Sequence, residues 1–218
     1  MRASRPCPLS VRGSPQTTGD LVYSPDRCLR AVPTVVAQLK EVIGPIKGKT
    51  DWTFVDLGCG QGTMLQPMCD ATLDGNAMFE RCVGVELDPR THREAAAAHS
   101  DPKIEVVCGD MFPFVEKACA GKKLFGGHAA FYLYEPLWMA GLAKEETDRL
   151  YSKMLAQIAK HPGSIVAYCA ADSAREVPTV LLEASGMVLR SATLVAQNGA
   201  FNKILGKYNT LELWQVPA

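Results

Sequence analysis

The sequence lacks several features that define common classes of protein. Its eight cysteines include no Cys-x-x-Cys pair and no Cys/His cluster at the spacing of metal ligands, which argues against a zinc site or a dithiol redox motif. No run approaches the ~18 consecutive apolar residues of a membrane-spanning helix. The 23 Lys and Arg residues balance the 23 Asp and Glu residues, so no general basic surface favours non-specific nucleic-acid binding. We therefore expect neither a membrane nor a nucleic acid as partner.

Acidic residues are also missing from the first nineteen positions. Residues 1–50 hold eight basic and three acidic residues, a balance of 8 − 3 = +5. Their Arg and Ser content resembles an organellar transit peptide, although Pro6, Pro8 and Pro15 disfavour the amphipathic helix of such a signal. We predict a basic, Pro- and Ser-containing arm over residues 1–22 and one α/β domain over residues 23–218.

Several of the cysteines lie in apolar, strand-like runs, which predicts small buried side chains in a reducing compartment. We therefore expect a cytoplasmic protein. The alternative is a mitochondrial or plastid protein, if the basic arm is a transit peptide.

The segment Thr53–Thr63, TFVDLGCGQGT, is the feature around which the rest of the sequence is organised. Its apolar first half predicts a buried strand, and Gly58, Gly60 and Gly62 permit a sharp turn that brings bare backbone close to a ligand. Such a turn between a strand and a helix is where open α/β sheets bind nucleotide-like ligands. The alternative is an ordinary glycine-rich strand-to-helix turn.

The spacing of these glycines separates the candidate ligands. A dinucleotide fingerprint has glycines at relative positions 1, 3 and 6, whereas here they fall at 1, 3 and 5, and position 6 is Thr63. A Walker phosphate loop is excluded because no Gly-Lys-Ser/Thr follows. A nicotinamide enzyme is therefore disfavoured.

Hydrophobic periodicity and turn residues predict alternating strands and helices, and then a terminal pair of strands. This order indicates a mostly parallel α/β sheet with an antiparallel edge. One predicted helix begins at Pro25, with Ser24 as its N-cap, and another follows the cap residue Asp88. The other predicted helices are Thr63–Leu73, Phe114–Ala120, Lys144–Lys160 and a segment that ends near Gly186. The predicted strands are Trp52–Leu57, Arg81–Leu87, Ile104–Cys108, Ala129–Tyr134, Ser164–Cys169, Met187–Ala196 and Thr210–Val216.

Acidic side chains stand at the carboxyl ends of successive predicted strands. Glu86 ends VGVE, where a carboxylate can accept both hydroxyls of a ribose, and Asp110 follows VVCG. Asp56 lies within the glycine segment itself. The alternative is that Glu86 and Asp88 cap helices and that Asp110 closes a turn.

The string VDLGCGQG resembles motif I of the class I S-adenosylmethionine-dependent methyltransferases. The resemblance implies a Rossmann-like seven-stranded α/β fold, mostly parallel with an antiparallel C-terminal strand. It also implies S-adenosyl-L-methionine as cofactor, held by the turn with Gly58, Gly60 and Gly62 and by Glu86 at the ribose.

Further cofactor contacts follow from the same resemblance. Asp56 would help to hold the cationic methionine end, and Asp110 would receive the adenine amine, with Met111 beside the ring. Tyr23 precedes the first predicted helix and is a candidate lid residue. The alternative for Tyr23 is a hydrophobic staple packing on that helix.

The methyl acceptor is predicted from the end of the fourth strand, YLYEPLW. Amine-modifying members of the family carry Asn/Asp-Pro-Pro-aromatic there, whereas this chain has Glu135 and a single proline. A carboxylate among aromatic side chains suits a cationic or deprotonatable amine. We predict Glu135 as the orienting or deprotonating group and Tyr134 as a wall of the site; the alternative is that Glu135 is a solvated strand end.

The motifs YSP, FVDLGCGQGTML, VGVELDP, GDMF and YLYEP together are similar to those of enzymes that methylate protein lysines, including Dot1-like histone methyltransferases and mitochondrial relatives. We therefore expect a methyltransferase acting on an amine, with a protein lysine slightly ahead of a small molecule. The alternative is a cofactor-binding protein of this fold that acts as a non-catalytic scaffold or partner subunit.

Overall fold

The computed structural model describes residues 25–46, 51–121, 125, 127–134, 143–171, 179–196 and 208–217, and the structural statements below refer to these. The helices are α1 (Pro25–Ile43), α2 (Leu65–Cys69), α3 (Pro89–Ala98), α4 (Met111–Cys119) and α5 (Lys144–Ile158), and residues 179–184 are also helical. The strands are β1 (Trp52–Leu57), β2 (Thr72–Leu73), β3 (Asn76–Ala77), β4 (Arg81–Glu86), β5 (Ile104–Cys108), β6 (His128–Tyr134), β7 (Ile165–Ala171), β8 (Val188–Ala196) and β9 (Tyr208–Gln215).

Seven of these strands form one sheet in the order β5-β4-β1-β6-β7-β9-β8. Strand β1 pairs in parallel with β4 and β6, and parallel pairing continues outward to β5 and β7. Strand β9 is antiparallel to both β7 and β8. The predicted seven-stranded, mostly parallel α/β sheet with an antiparallel C-terminal strand is confirmed. The antiparallel strand lies one position inside the edge, which β8 occupies.

Both faces of the sheet are covered, which explains why its central strands are apolar throughout. All six residues of β1 are buried, as expected of a parallel strand between two helical layers. On one face, α1 and α2 pack in a first core that includes Leu39, Phe54 and Leu65. On the other face, α4 and α5 pack in a second core that includes Val55 and Leu155.

Helix α1 begins at Pro25 as predicted and continues through Pro33 to Ile43. Its most deeply buried residues are Ala31, Val35, Leu39, Val42 and Ile43. Apolar residues also recur in the sequence at Leu29, Val32, Val36, Leu39 and Ile43, but Val32 and Val36 are only partly buried, so the buried face is rotated from that pattern. The side chain of Leu29 lies outside the described part of the structure.

Two other predicted helices differ in their bounds. Helix α2 ends at Cys69 rather than Leu73, because the chain turns at Asp74 and Gly75, both with positive φ, to form the β2–β3 hairpin. Helix α4 begins at Met111 rather than Phe114, because Asp110 caps it. The Asp74-Gly75 pair is a typical hairpin signal, and the predicted helix extended too far towards it.

Of the six cysteines whose side chains the structure describes, five follow the prediction. Cys59, Cys69, Cys82, Cys119 and Cys169 are free and buried. Cys108, at the end of β5, is disulfide-bonded, so the prediction that every cysteine is a reduced thiol is wrong at that position. None of the described helices is long and apolar enough to cross a bilayer.

Candidate functional site

The glycine turn joins β1 to α2 at the carboxyl edge of the sheet. The backbone N–H groups of Gly58 and Cys59 both donate to the carbonyl of Val85 on β4, at 2.9 and 3.0 Å. The N–H of Gly62 donates to the carbonyl of Cys59 at 2.8 Å. These bonds tie the turn to the neighbouring strand and give it one fixed shape beside the ends of β1 and β4.

Replacement of Gly62, the last glycine of the turn, would meet both backbone strain and a close side-chain contact. Its φ of +76° favours glycine, and a Cβ atom there would lie 2.7 Å from Nε2 of His99. The same Nε2 atom lies 3.1 Å from the carbonyl oxygen of Gly62, within hydrogen-bonding distance. His99, at the end of α3, therefore buttresses the turn.

The four histidines stand at no catalytic-triad or metal spacing in the sequence, which predicts surface residues. All four are partly exposed in the structure, and each also makes a contact that the sequence did not suggest. Besides His99, the Nε2 atoms of His92 and His161 contact the carbonyl oxygens of Val106 and Cys119, and the ring of His128 packs 5.1 Å from that of Trp52. Each contact joins segments distant in sequence, so local patterns carry no signal for it.

Glu86 ends β4 next to this turn, and both of its carboxylate oxygens accept backbone hydrogen bonds. Oε2 accepts from the N–H of Gly60 at 3.0 Å and Oε1 from the N–H of Asp88 at 2.7 Å. The carboxylate is half-buried, and each oxygen retains a lone pair. Glu86 thus braces the glycine turn while keeping capacity to accept further hydrogen bonds.

The helix-capping alternative applies to Asp88 rather than to Glu86. Asp88 is the N-cap of α3, and its side chain accepts from the N–H groups of Thr91 at 2.7 Å and Arg90 at 3.0 Å. These hydrogen bonds, from Thr91 foremost, lower the pKa of Asp88. Capping by Asp88 leaves Glu86 available for the site.

Asp56 is the most unusual group of the site. Its side chain is 4% exposed, and within the described residues no hydrogen bond or ion pair reaches its carboxylate. Burial, and then repulsion from the Glu86 carboxylate, raise the pKa of Asp56 to about 7. A buried carboxylate without a partner is costly, and a cation beside it would offset that cost.

Asp110 combines a capping role with a free oxygen. It is the N-cap of α4, and its Oδ1 atom accepts from the N–H of Phe112 at 2.9 Å. Its Oδ2 atom has no hydrogen bond among the described residues. Met111 packs largely in the second core, with 8% of its surface exposed. Oδ1 of Asp110 therefore closes the turn, as the alternative predicts, and Oδ2 is available to accept a hydrogen bond from a ligand.

Tyr134, at the end of β6, lies on the face of the sheet that α1 covers and packs against the first core. Its hydroxyl accepts a hydrogen bond of 2.9 Å from Nδ2 of Asn209 on β9. Asn209 is a partner of the predicted Tyr134 that the sequence did not suggest. The predicted Glu135 and Tyr23 lie outside the described residues.

The described residues bring together Asp56, the three glycines, Glu86, Asp110 and Tyr134 along one edge of the sheet, where β1, β4, β5 and β6 end. They contain no group of three His, Cys, Asp or Glu side chains able to hold a metal ion. The arrangement offers carboxylate acceptors and close backbone to an organic ligand.

Comparison with known proteins identifies the fold. No family model and no curated protein matches the sequence. Among solved structures, a magnesium protoporphyrin IX methyltransferase from Synechocystis with bound SAM (S-adenosylmethionine) is 14% identical, with a TM-score of 0.56 over 87% of this chain and 80% of that one. The N-methyltransferase NodS from Bradyrhizobium japonicum is 14% identical, with a TM-score of 0.56 over 89% of this chain and 100% of its own.

A third structure is a complex of the Haloferax volcanii Trm112 methyltransferase activator with a protein assigned as a methyltransferase; it is 13% identical, with a TM-score of 0.53 over 88% of this chain and 96% of that one. At these identities the likeness establishes the fold alone. The chain has the Rossmann-like fold of class I S-adenosylmethionine-dependent methyltransferases.

Proposed function

We propose that this protein is an S-adenosylmethionine-dependent methyltransferase that transfers a methyl group to an amine. The observation that carries the proposal is the unpartnered, buried Asp56 carboxylate beside a glycine turn that Glu86 braces. A buried anion favours a ligand with positive charge, and the bare backbone of the turn favours close approach by that ligand.

The residues present fit S-adenosylmethionine at its charged end. The ammonium and sulfonium groups of its methionine part are both cationic, and Asp56 offers them a desolvated negative charge. In the low-dielectric interior this attraction is stronger than on the surface. Asp56 would therefore hold the methionine end, next to the backbone of Gly58, Gly60 and Gly62.

The nucleoside end fits the two remaining carboxylates. The free lone pairs of Glu86 would accept the ribose hydroxyls, since charge-assisted hydrogen bonds of this kind are strong. The Oδ2 atom of Asp110 would accept the adenine amine, with Met111 beside the ring. Tyr23 remains a proposed lid residue on the basis of its sequence position.

The sulfonium supplies an activated methyl group when the cofactor is bound, so the protein's task is mainly to orient the acceptor and exclude water. An amine that arrives protonated must also lose a proton before it can attack. We assign that role to Glu135 and the role of a site wall to Tyr134. The acceptor is a protein lysine or a small-molecule amine, because a carboxylate among aromatic side chains in the YLYEPLW segment suits a cationic or deprotonatable amine.

Binding experiments test the cofactor assignment directly. Isothermal titration calorimetry of the full chain with S-adenosylmethionine should give saturable binding, whereas NAD should not bind. Affinity for NAD with none for S-adenosylmethionine would overturn the proposal. Transfer is then tested by incubating the protein and radiolabelled cofactor with a cell extract and following the label into protein and metabolite fractions.

A second function is favoured by the acceptor motif itself. Glu135 and a single proline replace the Asn/Asp-Pro-Pro of amine-modifying enzymes, and a protein of the same fold forms a complex with an activator. A cofactor-binding subunit that stabilises a partner would also explain this departure. Tight cofactor binding without label transfer to any fraction would favour the subunit over the enzyme.

A further inference from the structure

Strand β8 forms one edge of the sheet and exposes an unusual amount of apolar surface. Five large hydrophobic side chains are exposed among the described residues, and three of them lie on this strand. These are Val188, Leu189 and Leu194, with exposed fractions of 49%, 45% and 62%. Apolar surface concentrated on one element marks an interaction site, whereas scattered exposed residues do not.

Two of the three side chains point to the same face of the sheet. In the register with β9, Leu189 lies opposite Trp214 of the second core, and Leu194 lies opposite Thr210. Between them, Ala192 lies opposite Glu212 and is also exposed. Leu189, Ala192 and Leu194 therefore form an apolar stripe along the edge.

The other edge of the same sheet is protected. On β5, the exposed Glu105 forms an ion pair with Arg81, and the remaining residues of the strand are at least half-buried beneath neighbouring elements. Charged edge residues of this kind prevent unwanted strand pairing. Strand β8 has one charged residue, Arg190, at a bulge between Leu189 and Ser191. The six residues that follow contain no charge and pair with β9 in one regular register.

We propose that β8 pairs antiparallel with β8 of a second copy of this chain, so that two seven-stranded sheets join edge to edge. Among the described residues no strand pairs with the outer side of β8, and its outward N–H and C=O groups form a template that an extended strand can use and a helix cannot. A two-fold axis at Thr193 places each Leu194 opposite the small Ala192 of the other copy. Each large side chain then has room beside the small one.

Charge also permits this pairing. In the register centred on Thr193, Arg190 lies opposite Ala196 of the second copy. The two Arg190 residues are then six positions apart along the ladder, or about 20 Å at the usual rise of a strand. That separation exceeds the Debye length of ~10 Å at moderate salt, so the like charges do not oppose association.

Sedimentation velocity of the full chain over a wide range of micromolar concentrations tests the proposal. The expected result is a species of about twice the 23.6 kDa of one chain. Leu194→Lys should raise the dissociation constant at least ~100-fold, because two buried leucines are lost and two like charges meet near the axis. Val180→Lys changes an aliphatic residue that is 60% exposed on the 179–184 helical segment, and should leave the dimer intact.

Far-UV circular dichroism and thermal unfolding of both variants show whether each remains folded. As a second measurement, Thr193→Cys should form a covalent dimer under mild oxidation, whereas Val180→Cys should not do so beyond the wild-type background. A wild-type chain of monomer mass at every concentration would overturn the proposal, as would a Leu194→Lys dimer as tight as wild type. Neither readout depends on cofactor binding or methyl transfer, so the proposal can fail independently of the proposed function.

Discussion

The side-chain amide of Asn209 donates a hydrogen bond to the hydroxyl of Tyr134, although strand β7 separates their two strands in the sheet. Asn209 is 5% exposed, so the bond is sheltered from water. It joins the C-terminal part of the chain to the strand end where we place the methyl acceptor. The position of Tyr134 therefore depends on a residue 75 positions later in the sequence.

We expect the Asn209–Tyr134 hydrogen bond to contribute measurably to stability. Asn209→Ala and Tyr134→Phe should each destabilise the protein, and a double-mutant cycle by urea denaturation should give a coupling energy of ~0.5–1.5 kcal/mol. The cycle isolates this bond from the other contacts of either residue. Additive effects of the two substitutions would show that the bond is not formed in solution.

Glu86→Ala should weaken binding of S-adenosylmethionine by ~1.5–3 kcal/mol, the usual loss for hydrogen bonds to a charged group. Calorimetry measures this loss. Because Glu86 also braces Gly60 and Asp88, Glu86→Gln is the matched control: it keeps one acceptor oxygen and the side-chain volume, and should lose less affinity. Unchanged affinity in the alanine variant would remove Glu86 from the cofactor site.

Asp56 predicts a pH-dependent loss of stability. Its pKa is raised from 3.8 to about 7, so the folded state holds this proton more tightly than the unfolded state does. Ionisation therefore destabilises the fold progressively from about pH 4 to about pH 7, by roughly 4 kcal/mol when complete. Relative to Asp56→Asn, which stays neutral, wild type should lose stability between about pH 4 and about pH 7 in urea denaturation, and the difference should stay constant above that range.

A cationic ligand should reverse that loss. If Asp56 faces the charged end of the cofactor, S-adenosylmethionine should raise the wild-type unfolding midpoint more at about pH 8 than at about pH 6. The Asp56→Asn variant should show no such difference. A stability gap between wild type and variant that stays constant with pH would contradict the shifted pKa.

Gly62→Ala should destabilise the protein by more than the cost of its backbone conformation. Positive φ costs a non-glycine residue ~1–2 kcal/mol, and the added Cβ also meets His99 at 2.7 Å. Gly75→Ala is the matched control, because φ is similar there at +82° and no atom lies within 4 Å. Adding His99→Ala to Gly62→Ala should recover part of the loss. Equal losses at Gly62 and Gly75 would show that the histidine contact is unimportant.

Glu135→Gln should leave the affinity for S-adenosylmethionine unchanged and lower turnover, if Glu135 orients or deprotonates the acceptor. The pH profile distinguishes these two roles. Loss of a base should be partly recovered at high pH, where the amine arrives unprotonated, whereas loss of an orienting group should persist at every pH. Normal turnover would assign the acceptor role to another residue.

The parts of this protein that could be predicted are those with local signals. The strand before Gly58, and the places of Glu86 and Asp110 at strand ends, could be predicted because each lies at a point where an apolar run meets a turn. Contacts between distant segments left no local trace. The hydrogen bond from Asn209, the support of the turn by His99 and the insertion of β9 between β7 and β8 all depend on the order of strands in the finished sheet. The shifted pKa of Asp56 likewise depends on how deeply β1 is buried.

The insertion of β9 between β7 and β8 has a consequence during synthesis. On the ribosome β8 is complete at Ala196, but its neighbour in the sheet ends at Gln215, 19 residues later (215 − 196). At ~5–20 residues per second, β7 and β8 wait for about one to four seconds before the strand that joins them has been made. Throughout that interval the apolar β8 lacks β9, the strand with which it pairs in the described sheet. An apolar strand without its sheet partner can pair with another chain, so this interval is a step of biogenesis that is open to pairing between chains.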